Sequence, residues 1–135
     1  MTEPYKQQRR DNAPLRVLLV DGSAASGKRF REAIEQLSFV ETVGVANNSE
    51  EALTLFFRLE PAVVVVSMIL APQDGIEVLR CIKRAAPNCS VVLTSQGSQE
   101  FLERAGTLLG ATAVCPAEAG CPRLGPLLQK LWSRS

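Results

Sequence analysis

Residues 59–87, LEPAVVVVSMILAPQDGIEVLRCIKRAAP, contain a strand, a turn and a helix in one continuous stretch. The four consecutive valines at 63–66 favour an extended strand, because β-branched side chains fit a pleated sheet. The turn APQDG then leads into IEVLRCIKRAA, where Ile76, Leu79 and Ile82 recur at helical spacing. A wholly apolar strand followed by an amphipathic helix is typical of a parallel sheet covered on both faces.

Outward from this stretch, apolar runs alternate with amphipathic segments along the chain. The pattern predicts five strands and five helices in strict alternation, which is typical of an α/β protein with a parallel sheet between two helical layers. The predicted strands are LRVLLV, ETVGVA, AVVVVS, SVVLTS and ATAVC, and the predicted helices cover residues 24–37, 48–60, 76–86, 99–110 and 124–132.

The composition suits one ordinary globular domain. Of the 135 residues, 46% are hydrophobic and 21% are charged, and the net charge is +1. This near-neutral charge gives no field that would attract nucleic acid or an anionic membrane. Residues 1–14 carry Lys6, Arg9 and Arg10 with little to bury, so we predict a flexible N-terminal arm ahead of a domain at 15–135.

Several classes of protein are disfavoured by what the sequence lacks. Met1 is followed by polar residues, and the longest apolar stretch, AVVVVSMILA, is too short to span a bilayer, so we predict a cytoplasmic protein. The four cysteines show no C-x-x-C spacing, which favours free thiols over a metal site or a disulfide framework. Histidine is absent, which excludes Ser-His and Cys-His nucleophilic pairs and a phosphohistidine carrier. We expect no metal ion and no cofactor.

One segment is similar to a nucleotide-binding loop. Gly22 is followed by Gly27 and Lys28 at the spacing of G-x-x-x-x-G-K, a motif whose backbone amides cradle phosphates. The motif next requires Ser or Thr as a Mg²⁺ ligand, but Arg29 stands there and cannot bind a cation. Residues 23–37 also have the pattern of one helix, so we predict a helix here. A nucleotide or small-ligand site in the crevice at the strand ends is the alternative.

Five stretches of the chain together resemble a known family. They are VLLVD, EALTLFFRLEPAVVVVS, DGIEVLRCIKRAAP, VVLTS and LLGATA, at residues 17–21, 51–67, 74–87, 91–95 and 108–113. Through them the chain from Val17 to Trp132 resembles the CheY-like receiver domain of bacterial two-component response regulators. Asp74-Gly75 stands at the family's distance after the position of the phosphoryl acceptor, so the two sequences align there without a gap. The resemblance implies a flavodoxin-like, doubly wound (βα)5 sandwich of three layers with parallel strand order 2-1-3-4-5.

The resemblance implies that most of the family's phosphorylation site is missing. Family members bind Mg²⁺ with an acidic pair after the first strand, and this chain has Asp21 followed by Gly22. The acceptor aspartate is replaced by Ser67, and the lysine that pairs with the phosphoryl group is replaced by Ala117. Thr94 occupies the position of the family's hydroxyl residue. The chain is therefore interpreted as a degenerate receiver, a pseudo-receiver.

The chemistry of these residues leads to the same interpretation. Formation of an acyl phosphate needs a carboxylate nucleophile, whereas the Ser67 hydroxyl is un-ionised at neutral pH and no histidine can act as its base. Asp21 alone is a poor Mg²⁺ site. We interpret Asp21 as a cap for the helix that begins near Ser23, and Thr94 as a hydrogen-bonded hydroxyl at a strand end. No catalytic residue and no metal ligand are predicted.

The predicted function is that of a non-enzymatic signalling module that binds another protein. In the family, such contacts use the face of the fourth helix, fifth strand and fifth helix, here residues 98–109, 112–115 and 124–132. The predicted partner is a histidine kinase, a transcription factor, a scaffold or a second copy of the chain, with membrane excluded and nucleic acid disfavoured. The further alternative is an unconventional response regulator that accepts a phosphoryl group on another acid.

Overall fold

The computed structural model describes residues 13–95, 104, 106–116 and 123–134. These residues form one five-stranded sheet, and all four strand pairs are parallel. The strand order is β2-β1-β3-β4-β5, which confirms the predicted 2-1-3-4-5 topology. The strands are β1 (Leu15–Val20), β2 (Val40–Ala46), β3 (Val63–Ser67), β4 (Ser90–Ser95) and β5 (Ala113–Pro116).

The predicted helices between these strands are confirmed where the structure describes them. Residues 104 and 106–108 are helical, and the rest of the predicted helix 99–110 lies mostly outside the described residues. Residues 1–12 of the predicted N-terminal arm also lie outside them. The described helices are α1 (Ala24–Glu35), α2 (Ser49–Leu59), α3 (Gly75–Ala85) and the C-terminal helix (Leu124–Arg134).

The sheet separates two hydrophobic cores, and this explains why its central strand is entirely apolar. Val64 and Val66 belong to the core beneath α2 and α3, whereas Val63 and Val65 belong to the core beneath α1 and the C-terminal helix. All four side chains are at most 1% exposed. Because successive residues of a strand face opposite sides, a strand covered on both faces needs no polar position.

The helix ends follow from local side-chain hydrogen bonds. The Glu51 backbone N–H donates to Asn48 Oδ1 at 2.7 Å, and the Asn47 N–H donates to Glu51 Oε1 at 2.8 Å, so a variant of the capping box starts α2. At the other end of the chain, the Trp132 ring stacks on Phe39 with centroids 5.0 Å apart, and its N–H donates to the Ala13 carbonyl at 2.9 Å. Trp132 therefore packs within the domain.

The described cysteines are free thiols. Cys89 and Cys115 are buried and Cys81 is half-buried, while Cys121 lies outside the described residues. Burial raises the pKa of the Cys89 thiol above its ordinary value of 9.0, and the nearby Lys83 charge opposes that rise. Cys89 thus packs as a neutral side chain. None of the described helices has the length and apolar character that a membrane span would need.

Candidate functional site

The carboxyl ends of the parallel strands bring the sequence-predicted residues to one edge of the sheet. Val20 pairs with Val66, so Asp21 and Ser67 each follow paired residues on adjacent strands. Ser67 pairs in turn with Thr94 on β4. The structure therefore places these three side chains on neighbouring strand ends, while Ala117 lies outside the described residues.

Asp21 is the one carboxylate of this group, and its two oxygens already accept hydrogen bonds. The side chain is buried, with 5% of the residue exposed. The Ser23 backbone N–H donates to Oδ1 at 2.8 Å, and the Ser26 hydroxyl donates to Oδ2 at 2.8 Å. Asp21 is thus held by the first turn of α1.

The prediction that Asp21 caps this helix is wrong in one respect. The N-cap residue is Ser23, whose hydroxyl accepts from the Ser26 N–H at 3.4 Å. Asp21 lies two residues before the N-cap, and its carboxylate accepts the N–H of the cap residue and the hydroxyl of Ser26. The contribution of Ser26 was missed from the sequence, where only its place in the first helical turn could have indicated it.

The segment that is similar to a nucleotide-binding loop is helical. Gly27 lies inside α1, and its N–H donates to the Ser23 carbonyl at 2.8 Å, as the first turn of a helix requires. This backbone N–H is therefore not available to a phosphate. A Cβ on Gly27 would stand only 3.4 Å from the Asp21 Cβ, so the helix backbone passes close to the carboxylate. The prediction of a helix here is confirmed.

Gly22 leaves room for a Cβ atom. A Cβ on this residue would lie 3.4 Å from the Asn47 carbonyl oxygen and 3.7 Å from the Ile69 carbonyl oxygen, which are ordinary contacts. The backbone around Gly22 therefore does not require glycine for want of space at Cβ. The position is exposed, beside the buried Asp21.

Ser67 is half-buried at the end of β3, and its hydroxyl serves the local backbone. Ser67 Oγ accepts the Ile69 N–H at 3.2 Å, which closes a short turn after the strand. The hydroxyl has no histidine to deprotonate it, because the chain contains none. Ser67 therefore supplies no ionised oxygen at the end of β3 at neutral pH.

Thr94 is 3% exposed, and its backbone carbonyl accepts the Met68 N–H at 2.9 Å. Among the described residues no side-chain hydrogen bond of Thr94 is found, so its role as a hydrogen-bonded hydroxyl stays a prediction.

The strand ends supply a poor donor set for Mg²⁺. This ion prefers octahedral oxygen ligands and is usually bound by one or two carboxylates with several waters. Here Gly22 and Ser67 supply no carboxylate, and each oxygen of the one carboxylate, Asp21, already accepts a hydrogen bond from α1 or its cap residue. Across the described part of the chain, no group of three or more His, Cys, Asp or Glu side chains could hold a metal ion.

Comparison with known proteins gives consistent matches for the sequence. The profile of the response regulator receiver domain matches residues 17–115. A protein-glutamate methylesterase/protein-glutamine glutaminase of Myxococcus xanthus is 35% identical over 102 residues, which are 76% of this chain and 29% of that protein. One from Anaeromyxobacter dehalogenans is 32% identical over 117 residues, 87% of this chain and 33% of that protein. The chain thus spans a third or less of the length of these curated relatives.

Solved structures show the same fold at lower sequence identity. The signal receiver domain of NarL from Mycobacterium tuberculosis superposes with a TM-score of 0.82 at 17% identity, covering 91% of this chain and 99% of that one. The response regulator domain of Thermotoga maritima CheB gives a TM-score of 0.75 at 23% identity, covering 90% of this chain and 95% of that one. At these identities the matches establish the arrangement of strands and helices.

Proposed function

This chain belongs to the response regulator receiver domain family, and we propose that it is a member that signals without phosphorylation of an aspartate. The observation that carries this proposal is the identity and bonding of the residues at the strand ends. Ser67 stands at the acceptor position, and its hydroxyl is engaged with the Ile69 N–H. Asp21, the remaining carboxylate, is bound through both oxygens by α1.

Phosphoryl transfer fails here on two independent grounds. The reaction needs an ionised oxygen nucleophile, which the Ser67 hydroxyl does not supply. It also needs a divalent ion to neutralise the charge on the phosphoryl oxygens, and a single carboxylate whose oxygens are already bonded is a weak ligand set. Ala117 further removes the cation at the lysine position. Each such loss costs roughly 3 kcal/mol of transition-state stabilisation, so together they reduce the rate to background.

The chain therefore acts through binding and catalyses no reaction of its own. Family receivers use the face that corresponds here to residues 98–109, 112–115 and 124–132. In the described part of that face, Leu108 is 86% exposed and Leu109 is 38% exposed, which supplies apolar surface for a partner. The Arg123 guanidinium donates to the Val114 carbonyl at 3.4 Å and ties the start of the C-terminal helix to β5.

The partner we propose is another signalling protein: a histidine kinase, a transcription factor, a scaffold or a second copy of this chain. The curated relatives support an effector enzyme as a further class of partner. In each of them the part that matches this chain is a third or less of a methylesterase/glutaminase protein. Neither nucleic acid nor a membrane surface is favoured, since the net charge of the whole chain is only +1.

Beryllofluoride tests the loss of the acceptor directly, because with Mg²⁺ it adds to a receiver carboxylate as a phosphoryl mimic. We expect the amide signals of Asp21, Ser67 and Thr94 in an isotope-labelled sample to stay unchanged when beryllofluoride and Mg²⁺ are added together. The control is Mg²⁺ with fluoride alone. Saturable shifts of these three signals that require beryllium would show an unconventional phospho-accepting site and would refute the proposal.

A further inference from the structure

We propose that the Ser26 hydroxyl competes with a metal ion for Asp21 and thereby weakens cation binding at this site. The inference rests on the proposed function, because it names the residue that competes at the degenerate site. Its basis is the 2.8 Å hydrogen bond from Ser26 Oγ to Asp21 Oδ2, on a carboxylate that is 5% exposed. Ser26 is here a positioning residue and has no catalytic role.

Burial of a carboxylate costs free energy unless hydrogen bonds or an opposite charge replace its lost hydration. In the described residues, no Lys or Arg nitrogen forms an ion pair with Asp21, and the single ion pair there joins Arg80 to Glu77. The compensation comes instead from the first turn of α1, through the Ser23 N–H on Oδ1 and the Ser26 hydroxyl on Oδ2. The partial positive charge of the helix N-terminus adds to it.

A cation at Asp21 would share the carboxylate with this turn. Mg²⁺ needs an oxygen at about 2.0–2.1 Å, and the Ser26 hydroxyl already uses part of the acceptor capacity of Oδ2. The backbone of α1 also runs close to the carboxylate, because a Cβ on Gly27 would stand 3.4 Å from the Asp21 Cβ. The Ser26 hydroxyl therefore competes with a metal ion for the charge and the approach to Oδ2.

Of the two donors to Asp21, only the one from Ser26 can be removed by a side-chain substitution. The Ser23 donor is a backbone N–H that every residue except proline would supply, so substitution of Ser23 leaves it in place. The Ser26 donor is a side-chain hydroxyl, and alanine removes it. Hydrogen bonds to charged groups have net values that correspond to roughly 10- to 100-fold in a binding constant, which sets the scale of the competition.

The test uses a background in which the missing groups are restored, Gly22→Asp, Ser67→Asp and Ala117→Lys. In that background we expect Ser26→Ala to tighten Mn²⁺ binding by about tenfold or more, measured from the free-ion signal in electron paramagnetic resonance. Ser26→Thr is the matched control, since it keeps a hydroxyl at this position, and it should leave the Mn²⁺ affinity unchanged. Equal affinities with and without Ser26 would overturn the inference.

A second measurement keeps the inference testable if the restored background does not fold. In the otherwise natural chain, Ser26→Ala should lower Tm by about 5 °C, and the same change made on Asp21→Ala should lower it much less, because the hydrogen-bond partner is then absent. Additive effects, or tight Mn²⁺ binding by the natural chain, would overturn the inference. Beryllium-dependent shifts would instead refute the proposed function, so the two failures are distinguishable.

Discussion

Gly75→Ala is expected to lower the free energy of unfolding by about 3 kcal/mol, at the upper end of the usual cost of overpacking. A Cβ on Gly75 would overlap the Ser67 carbonyl oxygen and stand 2.8 Å from the Met68 Cα. Both neighbours are backbone atoms that cannot rotate away. The Gly75 N–H also donates to the Met68 carbonyl at 3.0 Å, so the start of α3 is fastened to the segment after β3.

The matched control is Gly125→Ala in the C-terminal helix. There a Cβ would meet only the Leu37 Cδ2 atom at 3.6 Å, an ordinary contact. Because alanine has a higher helix propensity than glycine, stability should stay the same or rise by at most about 1 kcal/mol. Chemical denaturation measures both variants. Equal, small effects of the two substitutions would mean that α3 does not pack against the end of β3 in the way described.

Asp21→Ala is expected to lower the free energy of unfolding by about 2 kcal/mol, and by the same amount with and without millimolar Mg²⁺. The substitution leaves the Ser23 N–H and the Ser26 hydroxyl without the acceptors that they now reach at 2.8 Å. In a receiver with a cluster of carboxylates at this position, removal of one would relieve repulsion and stabilise the protein. The expected sign here is the opposite, because no second carboxylate lies beside Asp21 in the family's acidic positions.

Two further variants serve as comparisons for Asp21→Ala. Asp21→Asn keeps an oxygen that can accept the Ser23 N–H, so its cost should be about half as large. Glu32→Ala, which removes an exposed carboxylate from the same helix, should change stability by at most about 0.5 kcal/mol. A rise in stability on removing Asp21, or a loss that appears only when Mg²⁺ is present, would identify the residue as a metal ligand and contradict our account.

The fold could be predicted from the sequence because its strongest signals are local. Val63–Val66 can be buried on both sides only in a covered strand, and the two cores on either side of β3 show this. The structure also explains why an aspartate and a glycine, Asp74 and Gly75, stand at the start of α3. Asp74 Oδ1 accepts the Glu77 N–H at 3.0 Å to cap α3, and the absent side chain of Gly75 lets the helix begin against the strand end.

For the candidate site, the sequence identifies residue types but not their contacts. The prediction that the phosphorylation chemistry is lost rests on the identities of Ser67 and Gly22 and stays a prediction. The sequence could not show that Ser26 binds Asp21, since the contact depends on how closely α1 passes the carboxylate. Nor could it show that Thr94 is only 3% exposed, because that depends on the packing around β4.

Incubation of the natural chain with acetyl phosphate and Mg²⁺, followed by intact mass spectrometry, tests the loss of phosphoryl acceptance most directly. Our account predicts that the mass stays unchanged at every time point, because the Ser67 hydroxyl is not ionised and Asp21 is bonded to α1. The appearance of a phosphate adduct that is lost on treatment with hydroxylamine would reveal an acyl phosphate and contradict it.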